Sequence, residues 1–201
     1  MASLLLAGAY RHVLELGGYK GACSRVLAET LRITGGGSLT VVEYDPVLAQ
    51  GLRERISSHD GVDITILEMD SLVALDGLPP ESIGFAWVDD SHDTPHVAEE
   101  LNRLLPAMID GGIICFHDVH GHYNLRTLVE ALGGVALDLP KVSSSGGLGI
   151  LQVTDRNRHA RFRISEIGSL KETGEKVLAG LVPYHGFDGE YAHWVARDTV
   201  G

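Results

Sequence analysis

The sequence predicts an α/β domain with a doubly wound, mostly parallel sheet of seven strands, closed by an antiparallel C-terminal pair. Three observations predict it. Short runs of β-branched, aliphatic and aromatic residues alternate with amphipathic segments over roughly the first 119 positions. Those runs are short, continuous and rich in β-branched and aromatic residues, which suits parallel strands covered on both faces. Glycine-bearing breaks separate several of them from the segments that follow or precede. At 201 residues the chain is long enough for one such domain with a sizeable core and too short for two.

In order along the chain, residues 12–16 (HVLEL) predict the first strand, and a glycine turn leads into a helix over 22–32. Gly35 to Gly37 break the chain before a second strand over 38–43 (SLTVVE). Asp45 and Pro46 then open a helix, because an aspartate caps orphan N–H groups and proline suits the first helical position. Val47, Leu48 and Leu52 carry that helix to about residue 57. Residues 63–67 (DITIL) and 83–88 (IGFAWV) predict the third and fourth strands. A helix over 95–105 places Val97, Leu101, Leu104 and Leu105 on one face, and Gly111-Gly112 turn into a fifth strand over 113–117. Beyond it, 125–132 predicts a helix, and 135–139 with 148–153 an antiparallel strand pair around a flexible SSSGG loop. Residues 154–201 show no clean period, and Arg156, Arg158, Arg161 and Arg163 in them are expected to form a solvated strand or hairpin rather than an anion or subunit contact.

Composition narrows the function classes. Apolar residues make up 44% and charged residues 21%, as in ordinary globular proteins. The formal net charge of −11 argues against a general nucleic-acid binder, which needs a basic surface. The longest apolar runs, 1–9 and 109–116, are far shorter than the roughly 20 residues of a membrane span, so no membrane partner is expected. The first run lacks a basic flank and is expected to lead directly into the first core strand rather than to act as a signal peptide. Cys23 and Cys115 do not make a disulfide scaffold; they are expected to pack as small hydrophobes in a cytoplasmic protein.

In a doubly wound sheet, ligands bind beyond the carboxyl ends of the strands. The first such end reads Glu15-Leu16-Gly17-Gly18-Tyr19-Lys20-Gly21, where glycines let the backbone approach a ligand and expose helix N–H groups. A dinucleotide turn would favour G-x-G-x-x-G, a spacing absent here. Glu43 ends the second strand, where a carboxylate can accept from both hydroxyls of a ribose, with Tyr44 beside it. Asp70 and Ser71 follow the third strand, where an adenine amino group would be met. A turn or helix cap accounts for one of these ends, but not for all three in register.

Here the sequence resembles a known family. ELGGYKGACS followed by VVEYDP resembles the catechol O-methyltransferase-like branch of class I S-adenosylmethionine-dependent methyltransferases, which shares the turn E-L-G-x-Y-x-G. The stretch WVDDSHDTPHVAEELNRLLPAMIDGGIICFHDV is similar to macrocin O-methyltransferase and cephalosporin-hydroxylase-like relatives, with I-D-G-D-H-x-Y, a helix, P-G-G and F-H-D. The resemblance spans about residues 11–119. It implies a Rossmann-like fold forming a single methyltransferase domain over 1–201, with 1–119 the cofactor half and 120–201 the substrate side and C-terminal tail.

By that resemblance, Glu15, Gly17, Tyr19 and Gly21 line the methionine part of S-adenosylmethionine, Glu43 the ribose, and Asp70 and Ser71 the adenine, with Gly18 and Tyr44 also cofactor-binding. It also implies a divalent metal, Mg²⁺, Mn²⁺ or similar, held by Asp89, His117 and Asp118; Asp89 would serve cofactor and catalysis as well. His117 departs from the catechol-type pattern, where a carboxylate stands. An imidazole there shifts the preference towards Mn²⁺, Fe²⁺, Co²⁺, Ni²⁺ or Zn²⁺, or His117 is no ligand and no metal binds. His92, three residues beyond Asp89, occupies the position of the family's general base, since an imidazole exchanges protons near neutral pH; its other reading is a cap or surface residue. His96 lies one turn further along, and His120 and His122 fall in the loop after the fifth strand; none of the three is assigned a role.

The expected activity is therefore O-methylation of a small hydroxylated metabolite or natural product, with metal assistance left open. The alternatives are methyl transfer to nitrogen or a carboxylate without metal, and S-adenosylmethionine binding without catalysis. Water must be kept from the sulfonium, and few residues precede the first strand. A lid is therefore expected from the 119–127 loop, from the 154–201 tail bearing Tyr184, Phe187, Tyr191 and Trp194, or from a second subunit, and a homodimer or larger assembly is expected.

Overall fold

The apolar runs do become parallel strands. In the computed structural model, which describes residues 1–56, 59–119, 123–137, 146–164 and 181–182, these are β1 (His12–Leu16), β2 (Gly37–Glu43), β3 (Val62–Glu68), β4 (Ile83–Val88) and β5 (Met108–His117). They pair in parallel. The sheet is completed by β6 (Val135–Leu137) and β7 (Leu148–Gln152), giving seven strands in the order β3-β2-β1-β4-β5-β7-β6. β7 runs antiparallel to both β5 and β6. The order reverses between β1 and β4, so the crevice where a doubly wound sheet binds its ligand opens there.

Helices cover both faces. α1 (Ala2–Gly8), α2 (Ala22–Ile33) and α3 (Pro46–Ile56) lie over Val13, Leu39, Val41, Phe85 and Trp87. α4 (Ser71–Asp76), α5 (Thr94–Ala107) and α6 (Tyr123–Ala131) lie over Leu14, Leu16, Val88, Ile114 and Phe116. The strand alternation sorts these sets: Val13 and Leu14, adjacent in sequence, enter opposite layers. On α5, Val97, Leu101, Leu104 and Leu105 are buried as the 3.6-residue period expects. Each such side chain contributes about 1.5–3 kcal/mol from removal of its apolar surface from water. Asp45 caps α3 through Oδ1, which accepts from Val47 N at 2.8 Å and Leu48 N at 3.0 Å.

Four expectations need correction. Residues 2–8 do not simply extend an apolar run into β1. They form α1, which ends at Ala9 in the left-handed conformation, packs on α2 and buries Leu5 completely. α4 was not expected; Asp70 starts it by accepting from Leu72 N at 2.9 Å. β5 begins at Met108 and runs through Gly111-Gly112 rather than after them, with a register irregularity opposite β4 between Ile83 and Phe85. Backbone hydrogen bonds from Gly111 N to Val153 O and from Val153 N to Gly112 O tie this stretch to the residue after β7.

The arginine cluster is the fourth. Arg156 and Arg163 are exposed, but Arg158 is 6% exposed and pairs with Glu81 Oε1 at 2.7 Å. Arg161 lies in β8 (Arg161–Phe162), which pairs antiparallel with β9 (Leu181–Val182). Both cysteines are free thiols, and burial pushes Cys115 up to about 12 and Cys23 up to about 11, consistent with a packing role. Among the described residues, no helix is long and apolar enough to cross a membrane.

Candidate functional site

The turn after β1 is built to let two strand ends touch. Gly17 takes φ +85°, and a Cβ there would lie 2.5 Å from the Asp89 carbonyl oxygen, so only glycine fits against the end of β4. The N–H groups of Gly17 and Gly18 both donate to Val42 O, at 3.0 and 3.2 Å, and Asp89 N donates to Leu16 O at 3.0 Å. The ends of β1, β2 and β4 are thereby locked together. Gly21, at φ +83°, caps α2, and Tyr19 is held at φ 44° with its ring exposed.

Glu43 fixes that turn from the side. Its Oε2 accepts from Tyr19 N at 2.7 Å and its Oε1 from Asp45 N at 2.9 Å. Each carboxylate oxygen has a second lone-pair direction, so a diol in the cleft can still be met. Around this point a cleft of about 370 Å³ is lined by Gly17, Tyr19, Glu43, Tyr44, Asp70, Ser71, Asp89, Asp90, Ser91 and His96, with Val42, Leu48 and Met69 as its apolar wall. Seven of the expected cofactor residues, Gly17, Tyr19, Glu43, Tyr44, Asp70, Ser71 and Asp89, thus share one cavity.

Glu15, Gly18 and Gly21 do not line it. Gly18 packs where a Cβ would strike Val41 and Leu52, so its side-chain side faces the core. Glu15 is 0% exposed, on the α2 side of β1, and burial pushes its carboxyl up to about 8.

At the other side of the β4 end, Asp89, His117, Asp118 and His92 come together. His117 Nδ1 shares a hydrogen bond with Asp89 Oδ1 at 2.9 Å and lies 3.4 Å from Asp118 Oδ1. His92 Nε2 stands 3.7 Å from Asp118 Oδ2. Asp118 adopts φ 57°, a left-handed conformation that a non-glycine residue holds only where its surroundings impose it. Burial raises the Asp89 carboxyl above its ordinary range, and the adjacent His117 works against that rise. Asp89 is the shared member: it faces the cleft and belongs to this polar cluster.

A second cluster was missed by sequence reasoning. His96 Nε2 lies 3.1 Å from Ser71 Oγ, 3.2 Å from Glu100 Oε1 and 3.9 Å from Asp90 Oδ2. Glu100 is 1% exposed; burial pushes its carboxyl up to about 7, with His96 opposing the rise. The same glutamate is the first cause of a His96 imidazole raised to about 9. The signal in the sequence was a charged residue, Glu100, between the apolar positions Val97 and Leu101 of a helix, four residues after a histidine. His120, His122 and the aromatic tail lie outside the described residues, as does most of the expected lid.

With this geometry in hand, the chain can be placed among known proteins. Residues 14–119 match a family described as a methyltransferase domain. Among solved structures, an O-methyltransferase of Klebsiella pneumoniae, itself assigned by inference, aligns with a TM-score of 0.63 at 22% identity, over 76% of this chain and 77% of that one. The O-methyltransferase TomG of Streptomyces achromogenes, involved in tomaymycin synthesis and bound to S-adenosylmethionine, aligns at 0.60 and 20% identity, over 76% and 77%. The O-methyltransferase of Bacillus cereus in complex with S-adenosylhomocysteine aligns at 0.61 and 22% identity, over 76% and 78%. No curated protein matches the chain significantly. The family match covers more than half of the sequence, from within β1 through the residue after Asp118, and the solved structures share the fold: the chain belongs to the methyltransferase-domain family.

Proposed function

We propose that this methyltransferase transfers the methyl group of S-adenosylmethionine to the oxygen of a small hydroxylated metabolite. One observation carries the reading: Asp89 lines the cleft at the switch point and is also hydrogen-bonded to His117, with Asp118 and His92 alongside. Cofactor-reading residues and a proton-accepting cluster therefore meet at one strand end. The cofactors bound by TomG and by the Bacillus cereus enzyme, which share this fold, support the choice of cofactor.

In this reading Glu43 accepts from the ribose hydroxyls, and Asp70 and Ser71 meet the adenine. His92 Nε2 accepts the proton of the substrate hydroxyl, and Asp118, 3.7 Å away, stabilises the imidazolium that forms. The substrate oxygen then donates an electron pair to the methyl carbon as the carbon–sulfur bond breaks, leaving neutral S-adenosylhomocysteine. The sulfonium is already activated, so the chain contributes chiefly orientation.

A divalent ion belongs to the same reading. Asp89, His117 and Asp118 would hold one by donor type, two carboxylates and an imidazole, once the His117–Asp89 hydrogen bond opened to admit it. Once bound, it would act as a Lewis acid that lowers the pKa of a substrate hydroxyl.

Calorimetry with S-adenosylmethionine, S-adenosylhomocysteine and NAD tests the cofactor: the first two should bind and NAD should not. Absence of binding by either sulfur compound overturns the proposal.

A further inference from the structure

Asp90 immediately follows the cleft-lining Asp89 but engages other partners. Its Oδ2 lies 3.9 Å from His96 Nε2, which is itself 3.2 Å from Glu100 Oε1. Ligand atoms of these three residues all lie within 4.8 Å of one another, and among the described residues no other group of three His, Cys, Asp or Glu does so.

Two features set this group apart from an ordinary ion pair. Neither Glu100 oxygen is hydrogen-bonded, although the side chain is 1% exposed and its Oε1 faces His96. At this burial Glu100 needs a positive partner: His96, 3.2 Å away, serves as one when protonated, and a metal ion shared by both residues would serve as another. The separations are also those of ligands around an ion. A tetrahedral centre with bonds of about 2.0–2.2 Å spaces its ligand atoms roughly 3.3–3.6 Å apart. The values here, 3.2 and 3.9 Å, bracket that range, whereas His117 and Asp89 sit at 2.9 Å, an ordinary hydrogen bond.

We propose that Asp90, His96 and Glu100 bind a divalent ion of the Zn²⁺ or Mn²⁺ class at the Ser71 end of the cleft. One imidazole with two carboxylates favours such an ion over Mg²⁺, which keeps several waters and seeks oxygen alone. Ser71 Oγ, 3.1 Å from His96 Nε2, stands beside the remaining coordination position. The ion ties α5, through His96 and Glu100, to the segment after β4 and draws in the first residue of α4. It thereby fixes the wall that Asp70, Ser71, Asp90 and His96 present to the cleft. This site is separate from the Asp89, His117 and Asp118 set and does not depend on the methyl-transfer reading.

The test is titration of the chelator-treated full-length chain, without S-adenosylmethionine, with Co²⁺ followed by its visible absorption and then displaced by Zn²⁺. The wild type, Glu100→Gln, His96→Gln and His117→Gln are compared, each first shown to be folded by circular dichroism. Wild type and His117→Gln should share a site that Glu100→Gln and His96→Gln lose. The loss should exceed the roughly 10–100-fold weakening that follows removal of a merely supporting hydrogen bond. If His96→Gln does not fold, the near-isosteric Glu100→Gln decides alone. No binding by the wild type, or binding unchanged in Glu100→Gln, overturns the proposal. Because cofactor is absent throughout, neither result bears on methyl transfer.

Discussion

Two neighbouring carboxylates, Asp89 and Asp90, serve two differently built clusters. On the Asp89 side, His117 is 42% exposed, the contacts are hydrogen bonds and ion pairs, and Asp118 is held in a left-handed conformation. On the Asp90 side, Glu100 is 1% exposed and its oxygens are not hydrogen-bonded. In the proposed mechanism the Asp89 side exchanges a proton with the substrate, whereas the Asp90 side holds a metal ion against a buried glutamate. Both line the cleft, Asp89 bonded to His117 and Asp90 near His96, so one strand end supplies both environments within a single dipeptide.

The largest expected effect tests the open side. His92→Ala should lower kcat by roughly 100- to 10,000-fold, the contribution of a positioned acid or base, while S-adenosylmethionine affinity by calorimetry stays within a few-fold. Unchanged turnover would remove His92 from the mechanism and leave the comparison with one functional side fewer.

A smaller effect belongs to the residue that serves neither cluster but holds the turn between them. Glu43→Ala removes the acceptor for Tyr19 N and Asp45 N together with the proposed ribose contact. Cofactor affinity should fall roughly 10- to 100-fold, as expected for lost hydrogen bonds to a charged group. An affinity equal to wild type would show that the ribose is read elsewhere. Ser71→Ala should be milder still, a loss of about tenfold or less in cofactor affinity with kcat retained, because a neutral hydroxyl contributes less than a carboxylate. A collapse of kcat in this variant would mean that the closed cluster takes part in the chemistry after all.

A last effect concerns Glu15, buried on the α2 side of β1. Its folded-state pKa of about 8 lies above the ordinary carboxyl value of 4.5, so the folded chain holds a proton that the unfolded chain releases between those values. Its contribution to stability is therefore full below about pH 4.5 and is lost as pH rises through about 8. Glu15→Gln keeps the shape and removes the titration. Cofactor-free, its Tm should exceed that of wild type by roughly 10 °C or more above pH 8 and converge with it in acid. Parallel Tm curves across that range would show that Glu15 is ionised in the folded chain.

The two clusters were not equally legible in the sequence. Asp89, His92, His117 and Asp118 follow strands whose apolar runs mark their own ends, and topology brings the carboxyl ends of β4 and β5 side by side. The same logic located Glu43, Asp70 and Ser71. His96 was visible but had no partner to give it meaning, because the burial of Glu100 depends on how α5 packs beside α4. Likewise Arg158 read as one member of a solvated run, and its burial follows from contacts with Glu81 and Asp110, far away in sequence.

What the sequence determined by itself is the set of parallel strands, β1 to β4 to within about a residue at each end, and the residues at their carboxyl ends. Their β-branched and aliphatic residues are written locally in consecutive positions, continuous in the buried β4 and alternating with exposed polar residues in the edge strand β3. Tertiary structure decided the rest: α1 folding back on α2 to bury Leu5, Glu15 sealed away from the cleft it was expected to line, and Glu100 meeting His96 and Asp90. In each case the deciding quantity is burial, which depends on segments brought together from different parts of the chain and has no period along it.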